Sequence, residues 1–266
     1  MSSNPQFDFA KSFGRNSGGR RVSPLSITVG ILVAIAIALV SLSGFYADWL
    51  WYKSVDYTSV WSTTLFTKVY LFIGFGLITS LFVLLNVYLA FRRRPVYVSM
   101  AVENDNLERY RAQLEPLRKV AFAGVGLAVF YFAGSAGTSL WRTWLLFKNS
   151  TEFGVKDVQF NLDISFFAFR LPFWQSLISW GFSALILAIL ASGAVHYLYG
   201  GLRPQMRQDR TTPFARAQLS VLLGLFVLLK GVAYWFDRYA LSLKENKLIT
   251  GLTYSDVNAL LPAKAI

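Results

Sequence analysis

Residues 25–46 read LSITVGILVAIAIALVSLSGFY, a run with no charged side chain. A helix needs about 20 mostly apolar residues to cross the hydrocarbon of a bilayer. This run is long enough, and it has no polar face to turn toward water. Four more runs follow, at about Leu65–Phe91, Val120–Phe147, Phe173–Tyr199 and Ala217–Phe236. Lipid offers backbone N–H and C=O groups no partner, so each run is predicted to be a helix. The expected fold class is all-α: a polytopic transmembrane helix bundle. It has five spanning helices, the start of a sixth, and short interfacial helices. Residues 1–24 are basic, polar and rich in Gly and Ser, and are expected to be a disordered tail. Residues 25–266 form the membrane domain.

Composition points the same way. Hydrophobic residues make up 55% of the chain and charged residues only 15%. Soluble domains carry about a quarter charged residues, so the lipid bilayer is the expected partner for the apolar excess. The net charge of +12 raises the question of nucleic acid, but its placement answers it. Lys11, Arg15, Arg20 and Arg21 precede the first run. Arg92, Arg93, Arg94, Arg109, Arg111, Arg118 and Lys119 follow the second. Arg203, Arg207, Arg210 and Arg216 follow the fourth. These alternate stretches hold 15 of the 26 basic residues and six of the 14 acids. The positive-inside rule therefore places the N-terminus in the cytoplasm and residues after about 237 outside. No nucleic-acid partner is needed.

All eight tryptophans fall on the expected outer side, among them Trp49, Trp61, Trp144, Trp174 and Trp180. Amphipathic rings favour the headgroup level, which makes an aromatic girdle. A surface meeting other membrane or envelope proteins is the alternative. Arg20-Arg21 do not continue as a twin-arginine signal, and the first run exceeds the apolar core of a secretory signal, about 7–15 residues. A retained signal anchor is expected instead.

Two connecting segments carry structure of their own. Leu107, Tyr110, Leu114 and Leu117 share one helical face, which predicts a short amphipathic helix on the inner membrane surface. VQFNLDISFFAFRLPF (158–173) is predicted to be an outer interfacial segment, with Pro172 in the first turn of the fourth helix; a re-entrant loop is the alternative.

Chemical motifs are absent. There is no cysteine, one histidine, no phosphate-binding loop and no metalloprotease motif. No catalytic residue, cofactor or metal ligand is assigned, and the chain is not expected to be an enzyme. Gly74 and Gly76, and Gly124 and Gly126, lie inside predicted helices and are expected to let helices approach closely, as are Gly134, Gly137, Ala184, Ala188 and Ser192. Four polar residues are candidate intramembrane sites. Lys230 lies deep in the fifth run, where an unpaired charge costs about 2.5–3.5 kcal/mol. It either snorkels outward or lines a path for an ion or substrate. Asp237 is the nearest acid in sequence, but at seven residues it is too distant for a direct helical pair. His196, near the inner end of the fourth run, is either a satisfied interfacial histidine or a proton relay. Arg142 is expected to reach headgroups from the outer end of the third helix. Asn86 can bond a neighbouring helix.

Several blocks resemble uncharacterised protein family 0182, large bacterial integral membrane proteins common in actinobacteria. They are DWLWYKSVDYTSVWSTTL (48–65), DISFFAFRLPF (163–173), HYLYGG (196–201), LLGLFVLLKGVAYWFDRYAL (222–241) and TYSDVNALLPAKAI (253–266). The resemblance runs from about Arg21 to the last residue. It implies further spanning helices and a large extracytoplasmic region in a longer chain, of which this would be a fragment. It transfers no catalytic residue. Residues 237–262 would be a loop between the fifth and sixth helices. The expected role is a membrane anchor for that outer region; a transporter or channel using Lys230 and His196 is the alternative.

Overall fold

The computed structural model describes residues 24–95, 105–204, 206, 210–244 and 251–265. The tail predicted over 1–24 lies outside these except for Pro24. Seven α-helices are described: α1 (Pro24–Ser54), α2 (Thr58–Arg92), α3 (Asp105–Thr138), α4 (Trp141–Lys148), α5 (Leu171–Leu198), α6 (Pro213–Ala240) and α7 (Leu261–Ala265). Among the described residues there is no strand beyond two isolated antiparallel bridges, Lys156–Asp163 and Leu202–Thr211. Among the described residues, five helices are long and apolar enough to cross a membrane: Ile27–Ser54, Thr58–Arg92, Glu115–Thr138, Phe166–Leu198 and Pro213–Leu243. All five predicted runs are present. The chain is an all-α, multi-pass membrane protein.

The chain divides into two compact units, one up to Ser62 and one from Thr63. In the first, α1 opens on Pro24, whose missing N–H would be unsatisfied there in any case. At its other end Asp56 adopts a left-handed conformation, φ 60°, which Asp tolerates better than most residues. The Tyr57 amide closes this turn on the Tyr52 carbonyl at 2.9 Å. Rings gather here: Phe45 meets Trp61 edge-on, and Tyr46 stacks on Trp49.

The second unit is held by close approach of α2 and α3. A Cβ on Gly76 would lie 2.8 Å from the Phe130 carbonyl oxygen, and one on Gly134 would lie 2.8 Å from that of Phe72. A Cβ on Gly137 would fall 2.7 Å from the Cβ of Phe75. The Ser80 hydroxyl uses this proximity to donate to the Gly126 carbonyl at 2.9 Å. Gly74 and Gly124 have nothing within 4 Å, so only part of the predicted small-residue set makes the seam. On α5, Ala188 and Ser192 are wholly buried. Val83, Leu185, Ala188 and Leu222 form the core shared by α2, α5 and α6.

Several expectations need correction. The third run does not continue to Phe147: α3 stops at Thr138 and α4 starts at Trp141. Gly134 and Gly137 are weak helix formers. The Thr138 and Ser139 hydroxyls bond back to the Ser135 and Ala136 carbonyls, a competition that loosens helices. The amphipathic segment is not a separate helix, because α3 runs unbroken from Asp105 into the span through Pro116. The side chains of Leu107, Tyr110 and Leu114 lie outside the described residues. Finally, the region 237–262 is not loop throughout, since helix persists to Leu243 and resumes at Asp256.

The fourth span begins at Phe166, earlier than Phe173, and enters through a π-turn, Phe166–Arg170. The Leu171 amide reaches back five residues to the Phe166 carbonyl. The wider turn accommodates Pro172, which has no amide and whose ring would crowd an α-helical carbonyl. The same arrangement recurs before α7. Asn161 (φ 54°) and Gly251 (φ 106°) are both left-handed. Each is followed by a leucine, then by a capping residue, Asp163 or Thr253. Ser165 and Ser255 precede π-turns that end in Leu171-Pro172 and Leu261-Pro262. Asp163 accepts the amides of Phe153, Gly154 and Ser165. The Ser165 hydroxyl and amide, then the Phe153 amide, pull its carboxyl down to about 2. Asp256 and Thr253 cap one another reciprocally. The Thr253 hydroxyl and amide, with Lys244, hold the Asp256 carboxyl below its ordinary value.

The glycine seam makes a sharp prediction. Gly134→Ala and Gly137→Ala are expected to lower thermal stability in lipid nanodiscs by about 1–3 kcal/mol each, the usual cost of overpacking. Gly124→Ala, with open space around it, should be neutral or slightly stabilising. Equal losses at all three positions would contradict the seam.

Candidate functional site

Three buried polar side chains meet near the ends of α2, α5 and α6 that carry Arg92–Arg94 and Arg203–Arg216. They are Asn86 (7% exposed), His196 (2%) and Gln218 (9%). His196 Nε2 lies 2.9 Å from Gln218 Oε1. The Gln218 amide donates to the Asn86 carbonyl at 2.9 Å and to its side-chain oxygen at 3.2 Å. Asn86 Nδ2 donates in turn to the Phe82 carbonyl at 2.9 Å. With Gln218 giving its N–H groups to Asn86, its oxygen faces His196, so Nε2 of the histidine is the donor. Donors therefore run one way, from His196 through Gln218 and Asn86 to the α2 backbone.

Local sequence explains how the histidine is enclosed. α5 ends in His196-Tyr-Leu-Tyr-Gly-Gly. Gly200 takes φ 73°. The Gly201 amide donates to the His196 carbonyl at 2.6 Å and that of Gly200 to the Tyr197 carbonyl at 3.3 Å. This is a Schellman motif, which favours glycine after the last helical residue. A Cβ on Gly201 would lie 2.8 Å from His196 Nδ1, so glycine there also leaves room for the ring. The loop returns with the Thr212 amide bonded to the Gly201 carbonyl. Thr212 then caps α6 through its hydroxyl and Pro213 opens it. Gln218 follows within the next two turns.

The other candidate residues do not join this cluster. Lys230 lies on an exposed face of α6, with Nζ 4.6 Å from the Tyr234 ring centre. Tyr234 is one turn nearer the tryptophan-bearing end, so the ammonium reaches along the helix in that direction. Asp237 pairs with Lys264 at 3.8 Å. Arg142 is exposed on α4, not α3, and its guanidinium lies 5.2 Å from the Trp141 ring. Trp180 also departs from expectation. It lies about 14 residues into the fourth span, some 20 Å from its start at about 1.5 Å per residue, and turns toward α2. Its indole N–H donates to the Thr79 hydroxyl at 2.9 Å and its ring packs on Phe75. Among the described residues, no three of His, Cys, Asp and Glu gather to hold a metal.

Gln218 is the residue that sequence reasoning missed, and it joins the other two. Removing it leaves His196 Nε2 and the Asn86 side-chain oxygen without a partner at once. Gln218→Leu should lower stability in nanodiscs by about 2–3 kcal/mol, given about 1–3 kcal/mol per buried unsatisfied group. Asn86→Ala should cost less, because its backbone carbonyl still receives Gln218; membrane hydrogen bonds contribute about 0.6–2 kcal/mol each. Unchanged unfolding of Gln218→Leu would contradict the cluster's structural weight.

The chain has relatives of known sequence. Residues 25–266 match the model of the Uncharacterised protein family (UPF0182). A UPF0182 protein of Streptomyces coelicolor is 48% identical over 93% of this chain and 25% of its own length. One from a Nocardioides species is 43% identical over 94% and 25%, and one from Salinispora tropica 45% identical over 90% and 25%. The chain thus spans about a quarter of the length of the curated relatives it matches. No solved structure matches it. On the extent of the family match and the level of these identities, the chain belongs to the Uncharacterised protein family UPF0182.

Proposed function

We propose that this region is a membrane anchor and scaffold, without enzymatic activity of its own, that holds an extracytoplasmic portion of a longer protein and meets neighbouring envelope proteins. One observation carries the reading: the polar groups buried where α2, α3, α5 and α6 meet satisfy one another, while the buried atoms left without a partner among the described residues, Arg238 Nε and Ser242 Oγ, lie at the far end of α6. His196, Gln218 and Asn86 form a closed chain, Trp180 pairs with Thr79, and Ser80 and Ser192 bond backbone carbonyls. A transport path needs polar groups facing an aqueous opening at membrane depth. Lys230 lies on an exposed helix face, apart from His196, which favours snorkelling over a shared path. The matched relatives, about four times longer, leave room for what is anchored.

In this reading the arginine-bearing ends face the cytoplasm and the tryptophan-bearing ends face outward. A reporter active only in the cytoplasm is expected to work when fused after Arg94 and to be silent after Lys156; the reverse result would overturn the orientation. For the anchor itself, proteoliposomes carrying the protein should be no more permeable to protons, Na⁺ or K⁺ than empty ones. A flux that Lys230→Met abolishes would replace the anchor with a transporter.

A further inference from the structure

A cleft of about 510 Å³ opens between α2, α3 and α5 at their arginine-bearing ends. Its walls are apolar, built from Phe91, Phe122, Val125 and Val195 among others, while Arg118 and Lys119 stand on its lining. Phe91 and Tyr199 meet edge-on at 5.1 Å and support the cations. The Arg94 guanidinium lies 4.3 Å from the Phe91 centre and 5.1 Å from that of Tyr199, and the Arg118 guanidinium lies 5.9 Å from Phe91. A guanidinium held near a ring offers five N–H donors, of which Glu115 engages only part on Arg94 and on Arg118. Among the described side chains Glu115 is the acid here, 3.5 Å from both Arg94 and Arg118. It is shared between two arginines, and Lys119 adds further positive charge on the cleft lining. Arg92 bonds the Tyr88 hydroxyl at 3.4 Å. An apolar slot with a cationic mouth, set where a spanning helix meets the membrane surface, has the chemistry of an amphipathic anion.

The geometry points to a built site for one anionic phospholipid, its acyl chain in the cleft and its phosphate held by Arg118 and Lys119, with Arg94 alongside. The site needs only that these helix ends meet a leaflet surface; it holds whether or not the region acts as an anchor. Charge complementarity selects the occupant. An apolar helix from another protein would leave these cations unmatched, and a soluble phosphate would leave the slot empty.

The test uses the purified protein in nanodiscs of equal parts phosphatidylglycerol and phosphatidylcholine with matched acyl chains, with retained lipid read by native mass spectrometry. Retention of phosphatidylglycerol well above the bulk ratio is expected. The double variant Arg118→Gln/Lys119→Gln should lower that preference roughly thirtyfold, as two lost surface cations imply. Ala121→Trp, which fills the slot from an exposed lining position, should reduce retention of the lipid itself. None of the three positions is buried, and thermal unfolding checks that both variants fold. Retention at the bulk ratio, or a preference untouched by the double variant, would overturn the site. Unchanged retention in Ala121→Trp would reduce it to surface attraction, and displacement by soluble glycerol phosphate at equal concentration would do the same.

Discussion

Hydrocarbon gives a polar group no partner, and every feature of the second unit answers to that constraint. The spans are helices because only helices satisfy their own backbone. Burial of apolar surface does little to hold such helices together, since lipid tails are as apolar as leucine. Cohesion comes instead from close fit and internal hydrogen bonds. Gly76, Gly134 and Gly137 bring α2 against α3 until backbone carbonyls lie where side chains would otherwise stand. Asn86, Gln218 and His196 then tie α2, α6 and α5 at one end.

The opposite end is held differently. There Phe147 stacks on Phe173 at 4.4 Å, Trp174 stacks on Phe236, and Tyr239 packs between Phe160 and Phe166. Aromatic rings suit a zone that is neither dry nor fully wet. The two ends therefore divide the work, with a sealed polar cluster beside the arginines and an aromatic web beside the tryptophans. The recurrent helix entry belongs to the aromatic end. A left-handed residue, a capping side chain and a π-turn before Leu-Pro aim both α5 and α7 into the body.

The five spans were legible in sequence because length and apolar composition suffice to define them. Their ends were less so. Apolar and aromatic residues continue past Thr138, which hid the break that Gly134, Gly137 and the Thr138 and Ser139 hydroxyls create. Placing the fourth span at Phe173 missed that the π-turn starts the helix seven residues earlier, and no sequence signal marked Trp180 as the partner of Thr79 on α2. The spacing of Ser165 to Pro172, repeated from Ser255 to Pro262, was the available signal for that entry. His196 and Asn86 could be named as polar groups in need of partners. Their link could not, because Gln218 lies 132 residues from Asn86 and only helix packing brings them together. The same holds for the lipid cleft, whose cations come from two separate stretches of chain.

The central claim is that the region where α2, α5 and α6 meet is dry and that its polar groups satisfy one another. The chain has no cysteine, so one introduced thiol reports its own surroundings. Ser192 is wholly buried, with its hydroxyl 2.6 Å from the Ala188 carbonyl, and cysteine nearly matches its shape. In intact membranes Ser192→Cys should resist a water-soluble maleimide under conditions that label Glu152→Cys, on the exposed connecting segment, to completion once the reagent is on its side. Rapid labelling of Ser192→Cys would reveal water inside the body and contradict the account.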